Sequence, residues 1–381
     1  MHEDINQYIK DKIQFRKEND SFRVFKLNEG IVDFCSNDYL GFAKDKQFAL
    51  EAHQLLMQQE LRVNGNSGAR TITGTSKEIL SLESTLAKHH LAESALLYNS
   101  GYTANVGLFS SLPYRGDTII YDELIHASIR DGMQLSKARS FSFLHNDLAS
   151  LEKKLSLATG RIYVVVESIY SMDGDTAPLK SIAELCSQYD AALIVDEAHS
   201  NGIYGKDGAG LVVELGLEKT VFARVITFGK ALGCHGAAVL GSQDLIAFLI
   251  NFSRSFIYTT APAPHQVLSL KIAYGNLSKV ENKRLILSKL IALFKLKIKE
   301  VLNVDLIESS SPIQCLIIPG NSVVKQVCSG VQDDGFGVRP IVAPTVPVGK
   351  ERIRICLHSY NTEDEVIALV TCLKKRTQHV S

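Results

Sequence analysis

Six short apolar runs punctuate the first two thirds of the chain, at Ala95–Tyr98, Thr118–Tyr121, Ile162–Val166, Ala192–Val195, Arg224–Thr227 and Ala237–Gly241. A strand with one wet face alternates apolar and polar residues. A run that is apolar almost throughout suits a strand covered on both faces, as in a parallel sheet between helices. Helical periodicity lies between several of the runs. Pro178–Tyr189 sets Leu179, Ile182, Ala183 and Cys186 on one face, with Pro178 in the first turn. Strands alternating with helices predict an α/β fold with a large, mostly parallel sheet.

The pattern changes near residue 275. Asn282–Leu302 reads as a long amphipathic helix, Gln314–Ile318 and Arg352–Leu357 as strands, and a last helix opens on a capping box of Thr362 and Glu365. The expected organisation is an N-terminal helix and arm over 1–40, a large domain over 41–275 and a smaller C-terminal α/β domain over 276–381.

Composition excludes several classes. Lys plus Arg and Asp plus Glu both number 41, and basic residues do not cluster with aromatics, so no nucleic-acid or membrane partner is expected. The opening MHEDINQYIKDKIQF has no apolar run after its charges, and no stretch is long enough to span a bilayer, which predicts a cytoplasmic protein. Seven cysteines without C-x-x-C spacing predict neither disulfides nor a zinc site; Cys234 stands out only for its closeness to Lys230. A Walker A loop and a G-x-G-x-x-G turn are both absent.

In an open α/β sheet, ligands bind beyond the carboxyl ends of the strands. The residues that follow the runs are Asn99-Ser100-Gly101-Tyr102, then Asp122 through His126, then Glu167 and Ser171-Met172-Asp173-Gly174-Asp175. After these come Asp196-Glu197-Ala198-His199 and Phe228-Gly229-Lys230. Singly, each has an ordinary reading: a solvated lysine, a helix-capping aspartate, a surface histidine. Together they form one chemistry. Lys230 supplies an amine that can condense with an aldehyde. Asp196 can keep a pyridine nitrogen protonated. His199 can bond a phenolic oxygen, His126 can stack on a ring, and the Ser-Gly-Tyr turn opening a helix offers amides to a phosphate. A metal site built on His126, Asp196 and His199 lacks any recognisable ligand spacing.

At these residues the chain resembles the α-oxoamine synthases, fold type I pyridoxal-phosphate enzymes. The resemblance runs from about Asp33 to about His358. It rests on Ser36-Asn37-Asp38-Tyr39-Leu40-Gly41, Tyr98 through Asn105, Asp122 through Ser128, Ser171 through Asp175, Val195 through His199, Thr227 through Gly233, Ile257 through Thr260, and Pro344-Thr345-Val346-Pro347. It implies pyridoxal 5'-phosphate as cofactor, with Lys230 as its covalent anchor, Asp196 as ring-nitrogen partner and His126 as the stacked ring. It further implies His199 and Ser171 at the phenolic oxygen, with Glu167 as a further cofactor contact. Gly101 and Tyr102 would cradle the phosphate, with Thr227 nearby. Thr260 would serve the phosphate of the other subunit, hence a homodimer with shared active sites. Arg354 would clamp the amino acid's carboxylate, a task that suits its guanidinium fork. Asn37, Thr345 and Arg23 would be further substrate contacts.

The activity implied is the decarboxylative condensation of L-alanine with a pimeloyl thioester of coenzyme A or a carrier protein, a step of biotin biosynthesis. Lys230 would serve as Cα base. The alternative within the family uses glycine or serine with another acyl thioester, as 2-amino-3-ketobutyrate ligases and serine palmitoyltransferases do. Ala69, where glycine-specific relatives carry a threonine, leaves room for a Cβ. Two positions depart from the family pattern: Ile79 stands where many relatives have histidine, and Val342 where some have arginine, with Arg339 the nearest substitute.

Overall fold

The computed structural model describes residues 2–25, 27, 29–58, 64–302 and 305–378. They form two compact units: Asn37–Ser171 with Thr176–Arg284, and Met1–Ser36 with Met172–Asp175 and Leu285–Ser381.

The first unit is built on seven strands: β1 (Ser94–Tyr98), β2 (Thr118–Asp122), β3 (Arg139–Phe143), β4 (Ile162–Glu167), β5 (Ala191–Asp196), β6 (Ala223–Thr227) and β7 (Ala237–Gly241). Their order across the sheet is β1-β7-β6-β5-β4-β2-β3. Side chains alternate between two cores, as the period of two in a strand requires. Ile119, Tyr163, Val165, Ile194, Val225 and Val239 pack one face. Against them lie Ala104, Leu108 and Phe109 of α1 (Gly101–Ser111) and Ile129 and Met133 of α2 (Ala127–Leu135). Ile120, Val164, Val166, Leu193 and Val195 pack the other face, against α3 (Leu179–Gln188) and Leu151 and Leu155. Both faces are covered, which is why the runs are apolar throughout.

Two elements differ from expectation. β7 runs antiparallel to both neighbours, β1 and β6. Only residues 228–236 separate it from β6, too few for a crossover, so the chain turns back as a hairpin. β3 was not among the apolar runs: Arg-Ser-Phe-Ser-Phe is an edge strand, exposed except at Phe143. A charged, half-polar strand is how an edge avoids templating another chain. Pro178 is the residue before α3 and not in its first turn (φ −75°, ψ 63°).

In the second unit β8 (Ile313–Ile317), β9 (Arg339–Ile341) and β10 (Arg352–Cys356) form an antiparallel sheet in the order β9-β10-β8. Helices Asn321–Asp333 and Glu363–Thr377 bury Val324, Val327, Val331, Val366, Leu369 and Leu373. The second of these opens on the Thr362–Glu365 capping box. None of the seven cysteines is in a disulfide among the described residues. Burial pushes the Cys234 thiol up to about 12, which makes it a poor nucleophile at neutral pH. Among the described residues, no helix is long and apolar enough to cross a membrane.

Candidate active site

Because β1, β2, β4, β5 and β6 point the same way, their carboxyl ends meet at one edge. There the first unit encloses a pocket of about 280 Å³, lined by Asn37, Gly101, Tyr102, His126, Glu167, Asp196, His199, Thr227 and Lys230 among others.

The walls are fixed by local chemistry. Ser100 caps α1 reciprocally: its Oγ accepts from Thr103 N (3.1 Å) and Thr103 Oγ1 from Ser100 N (3.1 Å). The amides of Gly101 and Tyr102 lie in the first turn, where helical geometry leaves no intrahelical acceptor. A Cβ on Gly101 would sit 2.6 Å from Thr227 Cγ2, so the wall is closed to any larger residue. Lys230 rides on the hairpin between β6 and β7. That turn is closed by Gly233 N to Lys230 O (2.9 Å) and Cys234 N to Phe228 O (2.8 Å). Gly233 must be glycine: φ is +58°, and a Cβ would fall 2.0 Å from Ala43 N.

Asp196 ends β5 with both oxygens engaged: Ala198 N donates to Oδ1 (2.9 Å) and Asn105 Nδ2 to Oδ2 (2.9 Å). Asn105 also donates to Ser128 Oγ (3.0 Å). The Ser128 amide donates to His126 Nδ1 (3.2 Å), which makes Nδ1 an acceptor and leaves the ring's hydrogen on Nε2. Burial holds the His126 pKa below its ordinary value, with Lys230 adding to the shift and Asp196 opposing it. His199 Nδ1 lies 2.8 Å from the Tyr39 hydroxyl, which also reaches Asn37 Oδ1 (3.2 Å). Glu167, at the end of β4, is buried, and its Oε1 has no hydrogen-bond partner among the described residues. Burial, then the nearby Asp196 charge, push its carboxyl up to about 8.

Other candidates fall elsewhere. Ser171 is not on the pocket wall; its amide donates to Glu167 Oε2 (3.3 Å). Thr260 is exposed, its carbonyl taken by Asn99 Nδ2 (2.8 Å). In the second unit, Arg23 and Thr345 line a separate cavity of about 840 Å³ together with Arg339 and Val342. Arg354, in the same unit, does not line that cavity; it is buried, with Nη1 3.1 Å from Cys356 Sγ. Ile79 is a core residue of helix Lys77–His89, 2% exposed, and lines neither cavity. Sequence reading assigned no role to Asn105, Ser128 or Tyr39, each of which holds a pocket residue in place. The available signal was a polar residue in an otherwise apolar helix turn, as at Asn105.

This architecture, with a lysine, an aspartate and a histidine at the edge of a mostly parallel sheet, defines a fold type I transferase. The model of the aminotransferase class I and II family matches residues 29–371. The 8-amino-7-oxononanoate synthase of Emericella nidulans is 42% identical over 90% of this chain and 89% of its own. That of Marinobacter nauticus is 36% identical over 96% and 95%. Among solved structures, a serine palmitoyltransferase of S. paucimobilis with bound PLP superposes with a TM-score of 0.87 at 26% identity, covering 92% of this chain and 88% of that one. An 8-amino-7-oxononanoate synthase of Francisella tularensis gives 0.79 at 27% identity, covering 92% and 99%. The chain belongs to the aminotransferase class I and II family and, within it, to the 8-amino-7-oxononanoate synthases.

Proposed function

We propose that this chain condenses L-alanine with a pimeloyl thioester of coenzyme A or a carrier protein, releasing CO2 and free thiol and forming 8-amino-7-oxononanoate for biotin synthesis. Pyridoxal 5'-phosphate is the cofactor, in the pocket of about 280 Å³. The observation that carries the reading is the meeting of Lys230, Asp196 and His126 in one pocket at the sheet edge. The residues fit the group: a glycine cradle that a Cβ would fill, first-turn amides, a carboxylate held by two N–H donors, and a buried Glu167 oxygen still lacking a partner.

When bound, the cofactor ring serves as an electron sink for charge developing at the amino acid's Cα. Gly101 and Tyr102 hold the phosphate by their amides and by the positive end of α1, beside Thr227. The Asp196 carboxylate holds a proton on the ring nitrogen. Lys230 Nζ anchors the cofactor and, during the reaction, removes the Cα proton of alanine and returns one later. His126, on the pocket wall, would stack on the ring. Being neutral with its hydrogen on Nε2, it can donate to the thioester carbonyl as charge grows there. His199 would serve the phenolic oxygen, with Tyr39 fixing its ring, and Ser171, off the pocket wall, would act there through its amide bond to Glu167.

We also propose Arg354 for the amino acid's carboxylate, Asn37 and Thr345 as substrate contacts, and Arg23 for the acyl chain. The active form would be a homodimer in which the exposed Thr260 serves the phosphate of the other subunit.

Release of coenzyme A from pimeloyl-coenzyme A in the presence of L-alanine tests the reading. Lys230→Ala should lose at least about 10²- to 10⁴-fold in turnover, the usual contribution of a general base. Wild-type rates in that variant would refute the assignment. Faster release with glycine or serine than with alanine would move the chain to the alternative within its family.

A further inference from the structure

Two carboxyl groups end neighbouring parallel strands in register, Glu167 on β4 and Asp196 on β5, and both line the same pocket. Like charges so placed disfavour each other, and the site settles which one is ionised by where it places donors. Asp196 receives a backbone N–H on one oxygen and an amide N–H on the other, each at 2.9 Å. Glu167 receives the Ser171 amide on Oε2 at a long 3.3 Å and has the His126 amide nearby, while its Oε1 has no hydrogen-bond partner among the described residues. A carboxylate can only accept, whereas a carboxylic acid has a hydrogen to give. The negative charge therefore belongs to Asp196 and the proton to Glu167.

We propose that Glu167 works as an uncharged acid whose Oε1–H donates a hydrogen bond to the phenolate oxygen of the bound cofactor. This rests on the reading of the pocket as the pyridoxal-phosphate site. The direction follows from the neighbours: the Ser171 amide is bonded to the other Glu167 oxygen, and His199, the residue proposed for that phenolate, lines the same pocket as Glu167. A buried polar oxygen with no partner is costly, and an anionic ligand oxygen would satisfy it. The groups facing Glu167 agree. Burial and the Asp196 charge push its carboxyl up, while Lys230 and the amides of Ser171 and His126 pull the other way without cancelling them. An ionised glutamate there would instead repel the phenolate.

The test compares wild type with Glu167→Gln, which keeps a neutral donor at that place. The dissociation constant for pyridoxal phosphate is measured by equilibrium dialysis from about pH 6.5 to about pH 9.5. The wild-type constant divided by that of the variant should be nearly flat at the low end. It should then rise by up to about tenfold per pH unit once the wild-type acid ionises. Infrared spectra of the protein without cofactor give a second readout: a protonated-carboxyl stretch at neutral pH that is missing from the variant. Binding by both proteins with a pH-independent ratio overturns the donor role alone, as does a neutral-pH infrared spectrum unchanged by the substitution. Binding by neither overturns the pocket reading and this proposal with it.

Discussion

Replacing Asn105 by leucine separates cofactor binding from folding. Its amide spends both hydrogens inside the site, on Asp196 Oδ2 (2.9 Å) and Ser128 Oγ (3.0 Å), while its own Oδ1 is buried without a partner. Leucine is close in volume and removes all three groups at once. Without cofactor the change should cost little: an unsatisfied carbonyl disappears, and Asp196 and Ser128 line the pocket, where water can replace the lost donor. With cofactor it costs more. A hydrogen bond to an ionised group contributes about 1.5–3 kcal/mol. Loosening Asp196 by that amount should therefore weaken pyridoxal-phosphate binding roughly 10- to 150-fold. Equilibrium dialysis gives the affinity, and calorimetry on the same samples gives the melting temperature, expected to move by only a few degrees, about what 1 kcal/mol or less does in a chain of this size. Undiminished affinity would show that Asn105 does not support Asp196. A fall in affinity matched by a large fall in melting temperature would show that its role is in the fold.

Three further outcomes follow from the geometry. Gly101→Ala should weaken cofactor binding because its Cβ meets Thr227 Cγ2, and adding Thr227→Ser, which removes that methyl, should restore most of it; a double variant as weak as the single one refutes the steric argument. Arg224→Met strands the fully buried Glu197, with which Arg224 forms an ion pair at 3.5 Å. It should cost about 3–5 kcal/mol in urea unfolding, and adding Glu197→Gln should recover much of it; equal stability of wild type and Arg224→Met would refute the pairing. For Glu167 the folded pKa lies above the unfolded one, so the unfolded chain sheds its proton first and wild-type stability falls as pH rises from the ordinary 4.5 to about 8. The advantage of Glu167→Gln in melting temperature should therefore widen over that window and then level off; a constant difference refutes the shift.

The strands were legible because burial on both faces writes itself into sequence as unbroken apolar runs. β3 was not, since an exposed edge strand must be polar and short of apolar signal. The capping boxes at Ser100 and Thr362 carry their partners within three residues, and only the second was read from the sequence. Lys230, Asp196 and His126 were legible as strand-end residues, because the sheet delivers every carboxyl end to one edge. Asn105 was not, for its target lies 91 positions away on another element. Nor could sequence assign the proton between Glu167 and Asp196: that depends on donors brought in by α1 and by the turns after β4 and β5.

The place of β7 also sets an order on the birth of the chain. Among the described residues β1 is hydrogen-bonded to no strand except β7, which begins 139 residues after Tyr98, at Ala237. Until the ribosome has released that segment, β1 and the outer side of β6 present open, apolar edges, the surfaces on which nascent chains aggregate. A truncation ending before Ala237 would leave both edges bare, and the hairpin that carries Lys230 would lack its second strand. The last β-strand of the large sheet to emerge is thus the one that seals the sheet and completes the lysine's loop in the same event.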